Sequence, residues 1–155
     1  MSEESSAHAE QFLREMGVNI LLNKRVVDYR DHKVVLEDGT EIATRTFIWV
    51  SGVTGVTIGN LDASLIGRGG RIKVDSFNRV EGMNNVFAIG DQCIQLADEN
   101  YPNGHPQLAQ VAIQQGELLA KNLVRMEKGR EMKPFHYRNL GSMATVGRNR
   151  AVAEF

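Results

Sequence analysis

An α/β fold is predicted for this chain of 155 residues from three observations. A helix-spaced N-terminal stretch closes on a glycine and runs straight into a short apolar segment, the pattern of the second half of a βαβ unit. Farther on, Val86-Phe-Ala-Ile-Gly-Asp91 reads as a buried strand ending in glycine and a carboxylate, as strands do at the ligand-binding edge of an α/β sheet. A long amphipathic helix over about 107–127 completes the pattern.

Composition narrows the classes. Hydrophobic residues at 42% and charged residues at 24% are ordinary for a folded domain. Lys+Arg at 18 against Asp+Glu at 19 leaves a net charge of -1, which removes the electrostatic argument for nucleic acid or an anionic lipid surface. The single cysteine, Cys93, excludes an internal disulfide and any multi-cysteine zinc or iron–sulfur framework. No apolar stretch is long enough to span a bilayer. The acidic start, Met1-Ser-Glu-Glu-Ser-Ser6, is the opposite of a signal peptide, so a reducing, cytosolic setting is expected.

The first helix is predicted from Ala9, Phe12, Leu13 and Met16 at helical spacing. Ser2 or Ser5 serves as cap, Glu3 and Glu4 lie at the positive end of the dipole, and Gly17 is the terminator. Val18-Asn-Ile-Leu-Leu22 then reads as a buried strand. An antiparallel meander follows: Arg25-Val-Val-Asp-Tyr29 and Lys33-Val-Val-Leu-Glu37 flank a hairpin-sized connection, and Asp38-Gly39 is a turn dipeptide. Thr46-Phe-Ile-Trp-Val50 reads as the next strand. The glycine-rich stretch 52–70 is expected to be a loop or crossover. Strands are predicted at Arg71-Ile-Lys-Val-Asp75 and at 86–90. The helix that His105-Pro106 opens takes Leu108, Val111, Ala112, Leu119 and Leu123 as its apolar face. In the tail, Ser142-Met-Ala-Thr-Val146 is the one strand candidate.

Gly67-Arg-Gly-Gly70 is the only glycine cluster that suggests a phosphate loop. It fails as G-x-G-x-x-G because Ile72 holds the sixth position, and it neither follows an apolar strand nor opens a helix. It reads as a solvated turn. Gly90 allows close backbone approach by a ligand and Asp91 accepts hydrogen bonds from sugar-like hydroxyls, although an ordinary Gly-Asp turn accounts for the hexapeptide equally well. Gln110 and Gln114 share one helix face near Gln107, a stripe of uncharged donors suited to carbonyl groups; a solvated polar face is the plainer account. Cys93 reads as a small buried residue rather than a redox group. His8, His32, His105 and His136 have no ligand spacing, and no side chain is assigned a catalytic or metal role.

Taken together, these motifs resemble the type II NADH dehydrogenases, FAD-containing NADH:quinone oxidoreductases with a two-dinucleotide-binding-domain flavoprotein fold. The resemblance is carried by Gly17-Val-Asn-Ile with Lys24-Arg-Val, and by Phe47-Ile-Trp-Val-Ser-Gly-Val53. Val86-Phe-Ala-Ile-Gly-Asp91, Ala109-Gln-Val-Ala-Ile-Gln114 and the stretch from Tyr137 through Leu140-Gly-Ser-Met-Ala-Thr-Val-Gly-Arg-Asn149 continue it. It implies a partial fold: 1–52 as the end of an NADH-binding domain, 53–70 as a connecting segment, and 71–155 as the C-terminal part of an FAD-binding domain. It further implies that Gly90 and Asp91 contact the ribityl–phosphate portion of FAD. The backbone at Ala109 and Gln110 would face the pyrimidine edge of its ring, and Gly52 would lie near the nicotinamide of NADH. Gln110 and Gln114 would line the quinone pocket.

The family's glycine-rich pyrophosphate loops are missing from this sequence, so a fragment is expected, inactive alone and prone to self-association through strands stripped of partners. The resemblance also implies a respiratory-chain role for the parent, peripheral on the cytoplasmic side of the inner membrane, with lipid contact only through a region this chain lacks. Two other readings stand beside it: a related pyridine nucleotide–disulfide-type reductase, against which the lack of a redox cysteine pair argues, and a flavin-free interaction module.

Overall fold

The structure, a computed structural model, describes residues 2–56 and 58–154. The chain divides into two compact units, Met1–Val50 with Leu140–Phe155, and Ser51–Asn139. The expected segmentation kept 71–155 together. In the structure the second unit stops at Asn139, because the last strand packs on the first helix.

In the first unit, α1 spans Glu3–Glu15, and Ser2 caps it by accepting from the Ser5 N–H at 3.2 Å. Its end is a Schellman motif. Gly17, at φ +80°, donates to the Arg14 carbonyl, and Val18 donates to the Leu13 carbonyl. The meander forms as expected. β1 (Val26–Arg30), β2 (Lys33–Leu36) and β3 (Glu41–Ala43) pair antiparallel in that order. Arg30 pairs with Lys33 across Asp31 and His32, both in the left-handed region, the twist a two-residue hairpin requires. Val34 and Leu36 bury one face of the central strand.

Two expected strands of this unit do not form. Residues 18–22 and 46–50 are irregular, and Leu22, Ile48, Trp49 and Val50 are exposed at 64%, 75%, 59% and 84%. A buried strand exists only where another backbone completes its ladder, and no described segment pairs with either run. The tail carries one strand more than expected: β6 (Ser142–Thr145) turns back through β7 (Ala151–Glu154), with Thr145 opposite Ala151. Arg150 fastens this hairpin to α1. Its guanidinium lies 4.9 Å from the Phe12 ring centroid and pairs with Glu15.

In the second unit, β4 (Ile72–Val74) runs parallel to β5 (Cys93–Gln95). Ile72, Val74, Val80 and Cys93 form the core, covered by Leu61, Leu65, Ile66, Met83 and Ala88. The expected strand at 86–90 is not one. Its contact with a neighbour is a single bridge from Phe87 to Arg79, and Val86 is 43% exposed. The paired strand lies just after Gly90 and Asp91, where Cys93 reaches β4. The last helix, α2, spans Ala109–Glu127. Its buried positions are Val111, Gln115 and Asn122, not the all-apolar face expected, and Leu108 and Leu123 are exposed. Gln115 and Asn122 tolerate burial because their amides find backbone partners.

Candidate functional site

Three residues after Phe87 the chain turns sharply. Gly90–Gln92 make one 3₁₀ turn, with Gly90 at φ +65°. Glycine is required there twice over: the backbone is left-handed, and a Cβ would stand 3.3 Å from that of Ala112 on α2. Two glutamines fasten the turn. The Gly90 N–H donates to Gln115 Oε1 at 2.7 Å, and Gln107 Nε2 donates to the Asp91 carbonyl at 3.1 Å. Gly90 and Asp91 are thereby brought beside the first two turns of α2. The Asp91 side chain is exposed.

The N-terminal end of α2 has an apolar cap residue, Leu108, whose side chain bonds no backbone N–H. Ala109 there is exposed; Gln110 is half-buried and engaged in the fold. A helix terminus without a side-chain cap carries partial positive charge. Beside it lie a glycine turn of close approach and an exposed carboxylate. This set fits an electron-rich, hydroxyl-bearing cofactor such as a flavin nucleotide.

Gln114 is placed differently from a free pocket donor. Its Nε2 donates to the Arg138 carbonyl at 2.9 Å while its Oε1 accepts from the Arg138 N–H at 3.0 Å. Asn122, two turns along, makes the same two-way pair with Lys133, both bonds at 2.8 Å. These amides clamp residues 133–138 along α2, and Phe135 is buried between the two clamps. A cavity of about 270 Å³ opens there, lined by Gln114, Glu117, Leu118, Lys121, Phe135 and His136 among others. A primary amide keeps a second N–H, so the clamp leaves Gln114 one donor for a carbonyl ligand.

Behind the turn lies a buried polar layer that sequence reasoning did not anticipate. Arg71 donates from Nε to the Cys93 carbonyl at 2.6 Å and from Nη2 to the His105 carbonyl at 3.1 Å, tying β5 to the approach to α2. Burial pushes its guanidinium down from the ordinary arginine value. His105 is 1% exposed, bonds Asp98 through Nε2 at 3.0 Å, and packs against Tyr101, Phe135 and Tyr137. That bond holds the Asp98 carboxyl below its usual range. Cys93 Sγ lies 3.7 Å from Gln115 Oε1 and 3.8 Å from Asn78 Nδ2, and burial pushes its thiol up. A buried, protonated thiol is structural, in keeping with the reading of Cys93 as a small buried residue. One signal was available for Gln115 and Asn122: they fall at positions 4 and 11 after Val111, the spacing of a single helix face.

Gly52, expected at the nicotinamide, is exposed at φ +104° with open space around it. Three residues on, the chain is tightly held. The Gly55 N–H donates to the Gly69 carbonyl at 2.8 Å, so the cluster that failed as a phosphate loop instead packs backbone to backbone against Gly55.

A glycine turn set beside a helix end without a side-chain cap is an arrangement suited to a nucleotide ligand. Residues 1–116 match the family model described as pyridine nucleotide-disulphide oxidoreductase, and the chain belongs to that family. A mitochondrial internal alternative NAD(P)H-ubiquinone oxidoreductase of Arabidopsis thaliana is 35% identical over 159 residues, covering 95% of this chain and 31% of its own length. A type II NADH:quinone oxidoreductase of Mycobacterium tuberculosis is also 35% identical, over 94% of this chain and 32% of its own. Another of Staphylococcus aureus is 31% identical, over 94% of this chain and 37% of its own. The chain therefore spans about a third of the length of these curated relatives.

Proposed function

We propose that this chain is part of an FAD-dependent NADH:quinone oxidoreductase of the respiratory chain. The observation that carries the reading is the Gly90-Asp91 turn pinned beside the uncapped end of α2, in a chain whose relatives bear that activity in their names. FAD, when bound, supplies the hydride acceptance from NADH and the electron delivery to quinone, so no side-chain acid or base is required of this segment. Gly90 and Asp91 hold the ribityl–phosphate portion. The backbone at Ala109 and Gln110 would face the pyrimidine edge of the ring, where the positive end of α2 would offset negative charge. Gly52 gives the nicotinamide an approach without a side chain. Gln110 and Gln114 donate to quinone carbonyls.

Among the described residues no helix is long and apolar enough to cross a membrane. The reading places the whole protein peripherally on the cytoplasmic face of the inner membrane, where its quinone is dissolved.

The experiment that tests the quinone assignment is Gln114→Ala in the holoenzyme. The change removes the two bonds to Arg138 along with the quinone donor, and at on the order of 1 kcal/mol per bond quinone turnover should fall at least several-fold while stopped-flow flavin reduction by NADH keeps its rate. Flavin reduction slowed as much as quinone turnover contradicts the assignment.

The 155-residue chain by itself is expected to retain no FAD in equilibrium dialysis, since its sequence holds no G-x-G-x-x-G for the pyrophosphate. It is also expected to sediment as a dimer or larger at micromolar concentration, because Leu21, Leu22, Ile48, Trp49 and Val50 stay exposed in their own unit. Tight FAD binding, or a strictly monomeric species, overturns the corresponding half of this expectation.

A further inference from the structure

We infer that Gln92 is a positioning residue that holds the segment following Gly52 in register with the Gly90-Asp91 turn. The inference rests on the functional reading above and adds to it a residue that touches neither cofactor. Gln92 Nε2 donates to the Val56 carbonyl at 2.7 Å, and Gln92 Oε1 accepts from the Val56 N–H at 2.9 Å. The two residues are 36 apart in sequence, so local chain geometry does not impose the contact.

A primary amide is the side-chain group that presents a donor and an acceptor side by side in one plane, the pattern an extended backbone residue presents to a neighbouring strand. Gln92 therefore supplies one rung of a β-ladder where the fold has no strand to offer. The rung joins two places that the chemistry needs together. Gln92 is the last residue of the turn that begins at Gly90, which Gln115 and Gln107 pin to α2. Val56 follows Gly55, whose N–H bonds Gly69 and whose backbone abuts Gly70. The segment is thus held at two successive residues from two directions. Gly52 lies four residues beyond Val56, within about 14 Å along even a fully extended chain. An apolar cleft of about 430 Å³ is lined by both sides of this junction, with Ile58 and Leu61 from the segment, Phe87 and Ile89 from the stretch before the turn, and Gln92 from the turn itself. Slack in the rung would let Gly52 drift relative to the flavin side, and hydride transfer tolerates little misplacement.

The donor and the acceptor are both used, which makes the substitution pattern diagnostic. Gln92→Glu keeps an acceptor for the Val56 N–H and sets a carboxylate against the Val56 carbonyl; Gln92→Leu removes both partners at similar volume. In the holoenzyme, two readouts are taken on each variant. Hydrogen exchange of the Val56 amide should speed up about tenfold in Gln92→Leu and less in Gln92→Glu. Stopped-flow flavin reduction at saturating NADH should slow about tenfold in Gln92→Leu, with bound FAD content and the melting temperature near those of the parent. A purely structural role moves the melting temperature and the FAD content instead. Unchanged Val56 exchange in Gln92→Leu overturns the clamp, and an unchanged rate of flavin reduction overturns its positioning role. A parent holoenzyme whose flavin NADH does not reduce overturns the functional reading, and this inference with it; normal reduction in the parent and in Gln92→Leu alike overturns this inference alone.

Discussion

Gly55→Ala is expected to destabilise the protein by about 3 kcal/mol, the upper end of what overpacking a close backbone contact costs. A Cβ at Gly55 would lie 2.2 Å from the Gly70 carbonyl oxygen and 2.7 Å from its carbon. Both obstacles are backbone, so no rotamer change relieves them, and relief requires moving the 67–71 loop off the 55–56 segment. That loop leads directly into β4 and the core at Ile72. Gly59→Ala is the matched control, since nothing lies within 4 Å of its added Cβ and its cost should stay within about 0.5 kcal/mol. Thermal melting of the two variants side by side checks this; a Gly55→Ala protein that melts with the parent refutes the backbone contact.

Gln115→Leu should cost about 2 kcal/mol, because it leaves the Gly90 N–H without an acceptor in a partly buried site. The same oxygen receives the Cys93 thiol, so the change also loosens the packing of the one cysteine. Burial keeps that thiol above its usual range, hence protonated and slow toward alkylating reagents at neutral pH in the parent. In the variant it should react several-fold faster, in step with the greater population of open states. Denaturant midpoints and thiol modification rates measured together decide the matter. An unchanged midpoint with unchanged Cys93 reactivity means that Gln115 does not anchor the turn.

Local signals in the sequence proved readable where the physics is local. Ser2 and Gly17 bound α1 because a hydroxyl and a left-handed glycine satisfy helix ends whatever lies beyond them. Asp31 and His32 close the first hairpin, and Asp38-Gly39 closes the second, with Gly39 at φ +82°. The apolar runs at 18–22, 46–50 and 86–90 were misread because hydrophobicity marks the wish for burial, whereas a strand needs a partner backbone that the pattern does not name. The face of α2 was misread for the opposite reason. Gln115 and Asn122 are polar by composition and buried by virtue of partners 11 to 25 residues away in sequence. The same holds at the site. Gly90, Asp91 and the start of α2 were legible as a motif, but Gln92 and Gln107, which help hold that motif together, act on backbone atoms at long range and leave no periodic trace, and Gln115 leaves only its helical spacing from Val111.

The central claim is that this segment belongs to a flavoprotein that passes electrons from NADH to quinone. Its most direct test is anaerobic stopped-flow on the purified holoenzyme, following the visible absorbance of the bound flavin. The account predicts that NADH bleaches the flavin and that added quinone restores its colour within turnover time. A protein that carries no flavin, or whose flavin NADH reduces but quinone leaves bleached, contradicts it.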